Sequence, residues 1–124
     1  MQMQDKIVIN DYIENDPLSE ENLDKTLETV NRFRLSFPNK SIWIYSGYAL
    51  NRAMCPVITD DFNPSRDGLL HKRKEIVKQC IVMIDGRYID SQKDITLKWR
   101  GSSNQRVIDI KKSIKRNGIV LYEI

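Results

Sequence analysis

Lys40-Ser41-Ile42-Trp43-Ile44-Tyr45-Ser46-Gly47-Tyr48 decides the fold class of this chain. Ser41 to Tyr45 is short and rich in β-branched and aromatic residues, which predicts a buried strand. Trp43 and Tyr45 read as core packing. Ser46-Gly47-Tyr48 then turns the chain. Upstream, Ile7-Val8-Ile9 with Tyr12-Ile13 predicts an opening strand, broken by Glu14-Asn15-Asp16-Pro17. Asp16 or Ser19 suits the cap of a following helix, Pro17 its first turn, and Glu20 and Glu21 its positive end. Leu23, Leu27, Val30, Phe33 or Arg34, and Phe37 recur at helical spacing, and Pro38-Asn39-Lys40 ends the helix.

Downstream, Ala49 to Met54 reads as a brief helical start. Cys55 to Gly68 reads as a loop, since it carries Pro56, Asp60, Asp61, Asn63, Pro64 and Gly68. Leu69 to Gln79 predicts a helix with Leu70, Ile76 and Val77 inward. Cys80 to Ile84 predicts a second buried strand, turned by Asp85-Gly86 and extended or paired by Arg87-Tyr88-Ile89. Val107-Ile108-Asp109-Ile110 is helix or strand, and Lys111 to Arg116 is polar. Asn117-Gly118 favours positive φ and a hairpin into a terminal strand at Ile119-Val120-Leu121-Tyr122. The alternation of strand and helix predicts an α/β fold of mostly parallel strands joined by crossover helices. Ligands in such folds bind at the carboxyl ends of strands. The loops at Glu14 to Asp16, Ser46 to Tyr48, Asp85 to Arg87 and Gly101 to Gln105 are therefore expected to converge on one edge.

The 124 residues fit a single domain, residues 1–124, and 40% hydrophobic content is enough for a core. No apolar run reaches membrane-spanning length and the first residues show no signal-peptide core, so the expectation is cytoplasmic. A net charge of +3 is too small to imply nucleic acid. The denser cluster Lys111, Lys112, Lys115, Arg116 reads as a solvated basic face rather than a phosphate patch. Two cysteines and one histidine cannot complete a four-ligand zinc site without carboxylates, nor supply three thiolates to an iron–sulfur cluster. Cys55 falls in a loop, whereas Cys80 reads as a small buried hydrophobe. Asp60 and Asp61 with His71 match no metal motif, and His71 has no nucleophile for hydrolytic chemistry. There is no Walker-type phosphate loop.

Four segments together carry a family resemblance. Asp16-Pro17-Leu18 followed by Asn22 is similar to a "G-G-[DE]-P-L-x-x-x-N" loop. Lys40 to Tyr48 is similar to "K-x-I-W-x-[WY]-[TS]-G-Y". Val82-Met83-Ile84-Asp85-Gly86-Arg87-Tyr88 is similar to "V-L-V-D-G-[KR]-[FY]". Leu97-Lys98-Trp99-Arg100-Gly101-Ser102-Ser103-Asn104-Gln105-Arg106 is similar to "L-x-[WF]-R-G-S-S-N-Q-R". Each is weak alone; in this order they resemble the activating proteins of anaerobic ribonucleotide reductase, which are small radical-SAM enzymes.

The resemblance implies a partial (β/α) barrel of radical-SAM type. It implies a [4Fe–4S] cluster that reductively cleaves S-adenosylmethionine and thereby places a glycyl radical on the reductase catalytic subunit. The cluster cysteines of that family lie ahead of the glycine-rich loop, so the chain looks like the C-terminal two-thirds of such a protein, or a relative without the front. It is expected to carry no cofactor alone and to be catalytically incompetent alone. The alternative is a degenerate module that docks the reductase or another protein without chemistry. Glu14 and Asn15 replace the family's two glycines, which implies weakened or absent S-adenosylmethionine binding.

By resemblance the cofactor-binding residues are Asp16, Ser46, Gly47, Asp85, Gly86, Ser102, Ser103 and Asn104, with no catalytic residue and no metal ligand. The plain readings beside these are a turn aspartate at Asp85 and a self-satisfied loop at Ser102 to Asn104. Arg100 and Arg106 suit an anionic ligand or the partner reductase, against ordinary solvation. A partial barrel leaves strand edges exposed, so self-association or a partner is expected.

Overall fold

The computed structural model describes residues 6–50 and 68–123. In it, Ile42-Trp43-Ile44 lies inside a four-stranded sheet of order β1-β2-β3-β4. The strands are β1 (Lys6–Val8), β2 (Ser41–Ser46), β3 (Val82–Asp85) and β4 (Arg106–Asp109). β1 and β3 flank β2 in parallel, with Ile7 opposite Ile42 and Ile44 opposite Met83. β4 runs antiparallel to β3, with Ile108 opposite Met83. The α-helices among the described residues are α1 (Leu23–Ser36), α2 (Gly68–Val77) and α3 (Ile110–Arg116). The expected α/β class and mostly parallel sheet are present. The sheet is open, and its fourth strand reverses direction.

Alternation along the strands divides the apolar residues between two faces. Ile42, Ile44, Met83 and Ile108 pack under the helices with Leu23, Val30, Ile76, Val77 and Ile110. Trp43, Val82, Ile84 and Val107 form a second cluster on the other face, covered by Tyr45, Trp99 and Tyr122. Both faces of β2 are thus buried, which is why it reads as an unbroken apolar run. Tyr45 is only half-buried, so of the two aromatic residues placed in the core only Trp43 is fully enclosed.

Several local expectations are corrected. The first strand stops at Val8, and Ile9–Asp11 forms a 3-10 turn. The Asn10 side chain continues the pairing instead, accepting from the Tyr45 N–H at 2.8 Å and donating to the Tyr45 carbonyl at 2.9 Å. Neither Asp16 nor Ser19 caps α1. The Asp16 carboxylate accepts from the Leu18 N–H and Ser19 Oγ donates to the Asp16 carbonyl, so both serve the turn before the helix. Phe37 lies just beyond α1, its ring tilted against that of Phe33 with centres 6.3 Å apart. Arg34 donates to the Gln79 carbonyl at 2.6 Å, tying α1 to the end of α2.

Residues 87–89 do not extend β3. The 107–110 ambiguity resolves as a strand to Asp109 followed by the start of α3. The polar run 111–116 is helical because Ile110, Ser113 and Ile114 share its inner side, while Lys111, Lys112, Lys115 and Arg116 face solvent. Asp109 caps it by accepting from the Lys112 N–H, and its last-turn cations suit the helix dipole. Asn117 has the expected positive φ, 61°, but closes α3 rather than a hairpin. The predicted terminal strand is reduced to one antiparallel bridge, Leu121 to Ile108. The loop predicted from Cys55 onward, with Cys55, Asp60 and Asp61, most of the Ala49 to Met54 start, and the Leu70 side chain lie outside the described residues. No helix among the described residues is long and apolar enough to cross a membrane.

Ile44 is fully buried between β1 and β3, whereas Leu35 is 85% exposed. Ile44→Ala is expected to cost about 2–5 kcal/mol. Leu35→Ala is expected to change stability by less than about 0.5 kcal/mol. Urea unfolding followed by circular dichroism measures both.

Candidate functional site

β2 and β3 end side by side, Ser46 opposite Asp85, and the loops that leave them meet the segment before α1. Asp16 joins these pieces. Its Oδ1 accepts from Ser46 Oγ at 2.8 Å and from the Leu18 N–H at 2.9 Å. Its Oδ2 accepts from the Gly47 N–H at 2.7 Å. Asn22 reinforces the loop by donating to the carbonyls of Glu14 and Asp16. Asn15 takes a left-handed backbone, φ 64°, as glycine would, whereas Glu14 does not.

Asp85 lies on the helix side of the sheet, the face it shares with Met83 and with its register partner Ser46. It is 1% exposed. Its carboxylate accepts from Arg106 Nε at 3.0 Å, from Arg106 Nη2 at 2.5 Å and from the Leu50 N–H at 2.6 Å. Hydrogen bonding to Asp85 raises the pKa of Arg106 despite partial burial. Arg106 also donates to the Leu50 carbonyl. Its guanidinium is therefore occupied within the fold.

Gly86 has φ +101°, a backbone that L side chains rarely adopt, and turns the chain away from β3. The polar loop 99–105 folds against it. Gln105 Nε2 donates to the Gly86 carbonyl, while its Oε1 accepts from the N–H groups of Gly101 and Ser102. Ser102 is fully buried; its Oγ donates to Asn104 Oδ1 and accepts from the Ile89 N–H. Asn104 Nδ2 donates to the Arg87 carbonyl, and Ser103 Oγ donates to Gln92 Oε1. Arg100 Nη1 donates to the Gln105 carbonyl at 2.6 Å. The loop spends most of its polar groups on itself.

Between these elements lies an open cleft of about 570 Å³, within the roughly 300–1,000 Å³ typical of ligand pockets. Asp16, Ser46, Gly47 and Gly86 line it. Asp85, Ser102, Ser103 and Asn104 do not line it; they brace its walls. Sequence reading missed Asn10, Gln105 and the ring-bearing Tyr45, Tyr48 and Tyr88, which also line it. Gln105 stood inside a recognised motif, but nothing near Asn10 marked it. Burial pushes the Tyr45 phenol above its ordinary range. Tyr88 shifts the same way, through desolvation and its hydrogen bond to Asp90. The Arg73 guanidinium lies 4.6 Å from the Tyr48 ring and adds positive charge beside the rim.

The comparisons with known proteins fall on this same region. A family model described as "4Fe-4S single cluster domain" matches residues 15–108. The anaerobic ribonucleoside-triphosphate reductase-activating protein of Escherichia coli (strain K12) is 35% identical over 92 residues, covering 74% of this chain and 49% of that protein. The protein of the same name from Haemophilus influenzae is 33% identical, covering 73% and 48%. That of Enterobacteria phage T4 is 32% identical, covering 74% and 47%. The chain spans about half the length of the curated relatives it matches. No solved structure matches it.

An iron–sulfur cluster requires thiolate donors. Cys80 is fully buried in the helix-side core, its thiol directed at the Ile76 carbonyl, and burial pushes its pKa up to about 12. No group of three His, Cys, Asp or Glu among the described residues is arranged to hold a metal ion. These residues do not fit a cluster.

Two outcomes are expected. Asp16→Ala removes three accepted hydrogen bonds and is expected to cost about 1–3 kcal/mol, with faster hydrogen exchange at the Gly47 amide by NMR. In a Cys55→Ser background, Cys80 is expected to resist an aromatic disulfide reagent at pH 8 until the chain is unfolded, since only the thiolate reacts.

Proposed function

Because the chain belongs to the 4Fe-4S single cluster domain family, we propose that it is the cleft-bearing portion of an activating protein for anaerobic ribonucleotide reductase. The observation that carries the reading is the convergence of Asp16, Ser46, Gly47 and Gly86, drawn from three separate motif segments, on one cleft at the strand ends. In this reading the open sheet is part of a (β/α) barrel of the radical-SAM kind, and residues 1–124 are one domain of a cytoplasmic protein. The partner is the catalytic subunit of the reductase.

S-adenosylmethionine is the ligand this reading assigns to the cleft. Gly47 and Gly86 keep the backbone open to a ligand, Asp16 and Ser46 fix one wall, and the three tyrosines offer ring surface. Asp85, Ser102, Ser103 and Asn104 contribute by holding the strand ends and the 99–105 loop. Glu14 stands where the motif this segment resembles has glycine and lacks the left-handed backbone, so affinity is expected to be low. When bound, S-adenosylmethionine supplies the radical precursor. The cluster that would reduce it finds no ligand set in a chain with two cysteines, one of them buried in the core. We therefore assign the chain alone no radical chemistry.

The same observation favours a second reading, in which the chain is a non-catalytic module that docks the reductase or another protein. Anaerobic reconstitution with iron and sulfide, followed by metal counting and electron paramagnetic resonance, tests competence. The expected result is no four-iron cluster on the isolated chain. A stoichiometric four-iron cluster would overturn incompetence and indicate ligands shared between chains. Sedimentation with the reductase subunit tests the partner in either reading, and sedimentation of the chain alone is expected to show self-association.

A further inference from the structure

The sheet face opposite the helices carries an arrangement that the cleft does not explain. Lys6, on edge strand β1, directs its ammonium between two indoles. Nζ lies 3.9 Å from the centre of the Trp99 ring and 4.4 Å from that of Trp43. The two rings are 4.9 Å apart and inclined at 59°, forming a corner. The Tyr122 ring meets Trp43 edge-on at 5.4 Å. Among the described residues, Lys6 has no carboxylate within ion-pair distance. Burial lowers its pKa from the ordinary lysine range. Indole is the best of the aromatic faces for a cation, and the attraction strengthens as water is removed.

Trp99 itself is strained. Its φ is +72°, which is rare for a bulky side chain and persists only where surroundings enforce it. Its ring is held by Trp43 and by the Lys6 ammonium. The next residue, Arg100, grips the Gln105 carbonyl, and Gln105 lines the cleft and holds the Gly86 carbonyl. A continuous set of contacts thus runs from Lys6 to the cleft wall.

We propose that Trp43 and Trp99 form a binding site for a primary alkylammonium group, filled by this chain's own Lys6, which holds the 99–105 loop and thereby positions the Gln105 wall of the cleft. The site is separate from any S-adenosylmethionine or cluster chemistry and stands whether or not the cleft takes that ligand. Lys98 also lies over the Trp99 ring, its Nζ 5.6 Å from the centre, but among the described residues only the Lys6 ammonium reaches both indoles.

Hydrogen exchange at the amides of Gly101, Ser102 and Gln105, each hydrogen-bonded within the loop, reads the effect directly. Lys6→Met keeps the length of the side chain and removes its charge; exchange at these amides is expected to rise about tenfold, with core amides such as Met83 unchanged. Lys6→Arg is expected to keep protection near that of the parent chain. In Lys6→Ala, propylammonium is expected to restore protection and to shift tryptophan emission back, whereas propanol at the same concentration is not. Parent-like protection in Lys6→Met overturns the proposal, as does equal rescue by propanol, which would make the contact one of packing alone. Should the Lys6 variants fail to fold, Trp99→Leu tests the other half of the site. It is expected to loosen the same amides, and unchanged protection there overturns the proposal.

Discussion

A carboxylate buried at the end of a central strand constrains this fold more than any other single group. Asp85 is buried in the core, and Arg106 lies directly across the β3–β4 pair to supply two hydrogen bonds. Leaving either buried partner alone costs about 3–5 kcal/mol in general; the partial exposure of Arg106 places this pair toward the lower figure. The pairing pins the register of the antiparallel strands. It also fixes both ends of the 86–105 excursion, so that the excursion must return to the sheet and build a wall. Leu50, bonded to the same two side chains, is drawn to the same point.

This closed excursion explains the character of the cleft. The excursion is largely exposed along 87–93, and Ser102 is its buried anchor. Ser102, Ser103 and Asn104 bond within the excursion, and the residues it leaves facing the cleft are Gly86, Arg87, Tyr88 and Gln105. Asp16 plays the matching part on the opposite wall. Its carboxylate is spent on Ser46, Gly47 and Leu18, so it shapes the cleft through the backbone it holds.

Much of the architecture was readable from pattern. Ser41 to Tyr45 is apolar on both faces, and Leu23, Leu27 and Val30 repeat at helical spacing, so β2 and α1 follow from local chemistry. Ambiguity arose where one local preference serves two structures. Asn117 favours a left-handed backbone, which suits a hairpin and a helix end equally; the inward side made by Ile110, Ser113 and Ile114 decides for the helix. Asn10 was invisible because its partner, the backbone of Tyr45, lies thirty-five positions away. Asp16 and Asp85 were both singled out as site residues, but which face each carboxylate takes depends on tertiary partners that spacing cannot reveal.

The reversal of β4 makes the two margins of the sheet unequal. Beyond β4, the 120–122 segment already occupies backbone groups, with the Asp109 N–H donating to the Val120 carbonyl and the Tyr122 N–H to that of Val107. Beyond β1, no strand pairs among the described residues. The outer edge of β1 is therefore the margin at which, among the described residues, a further strand would pair directly with the sheet, in parallel or antiparallel register with Lys6-Ile7-Val8.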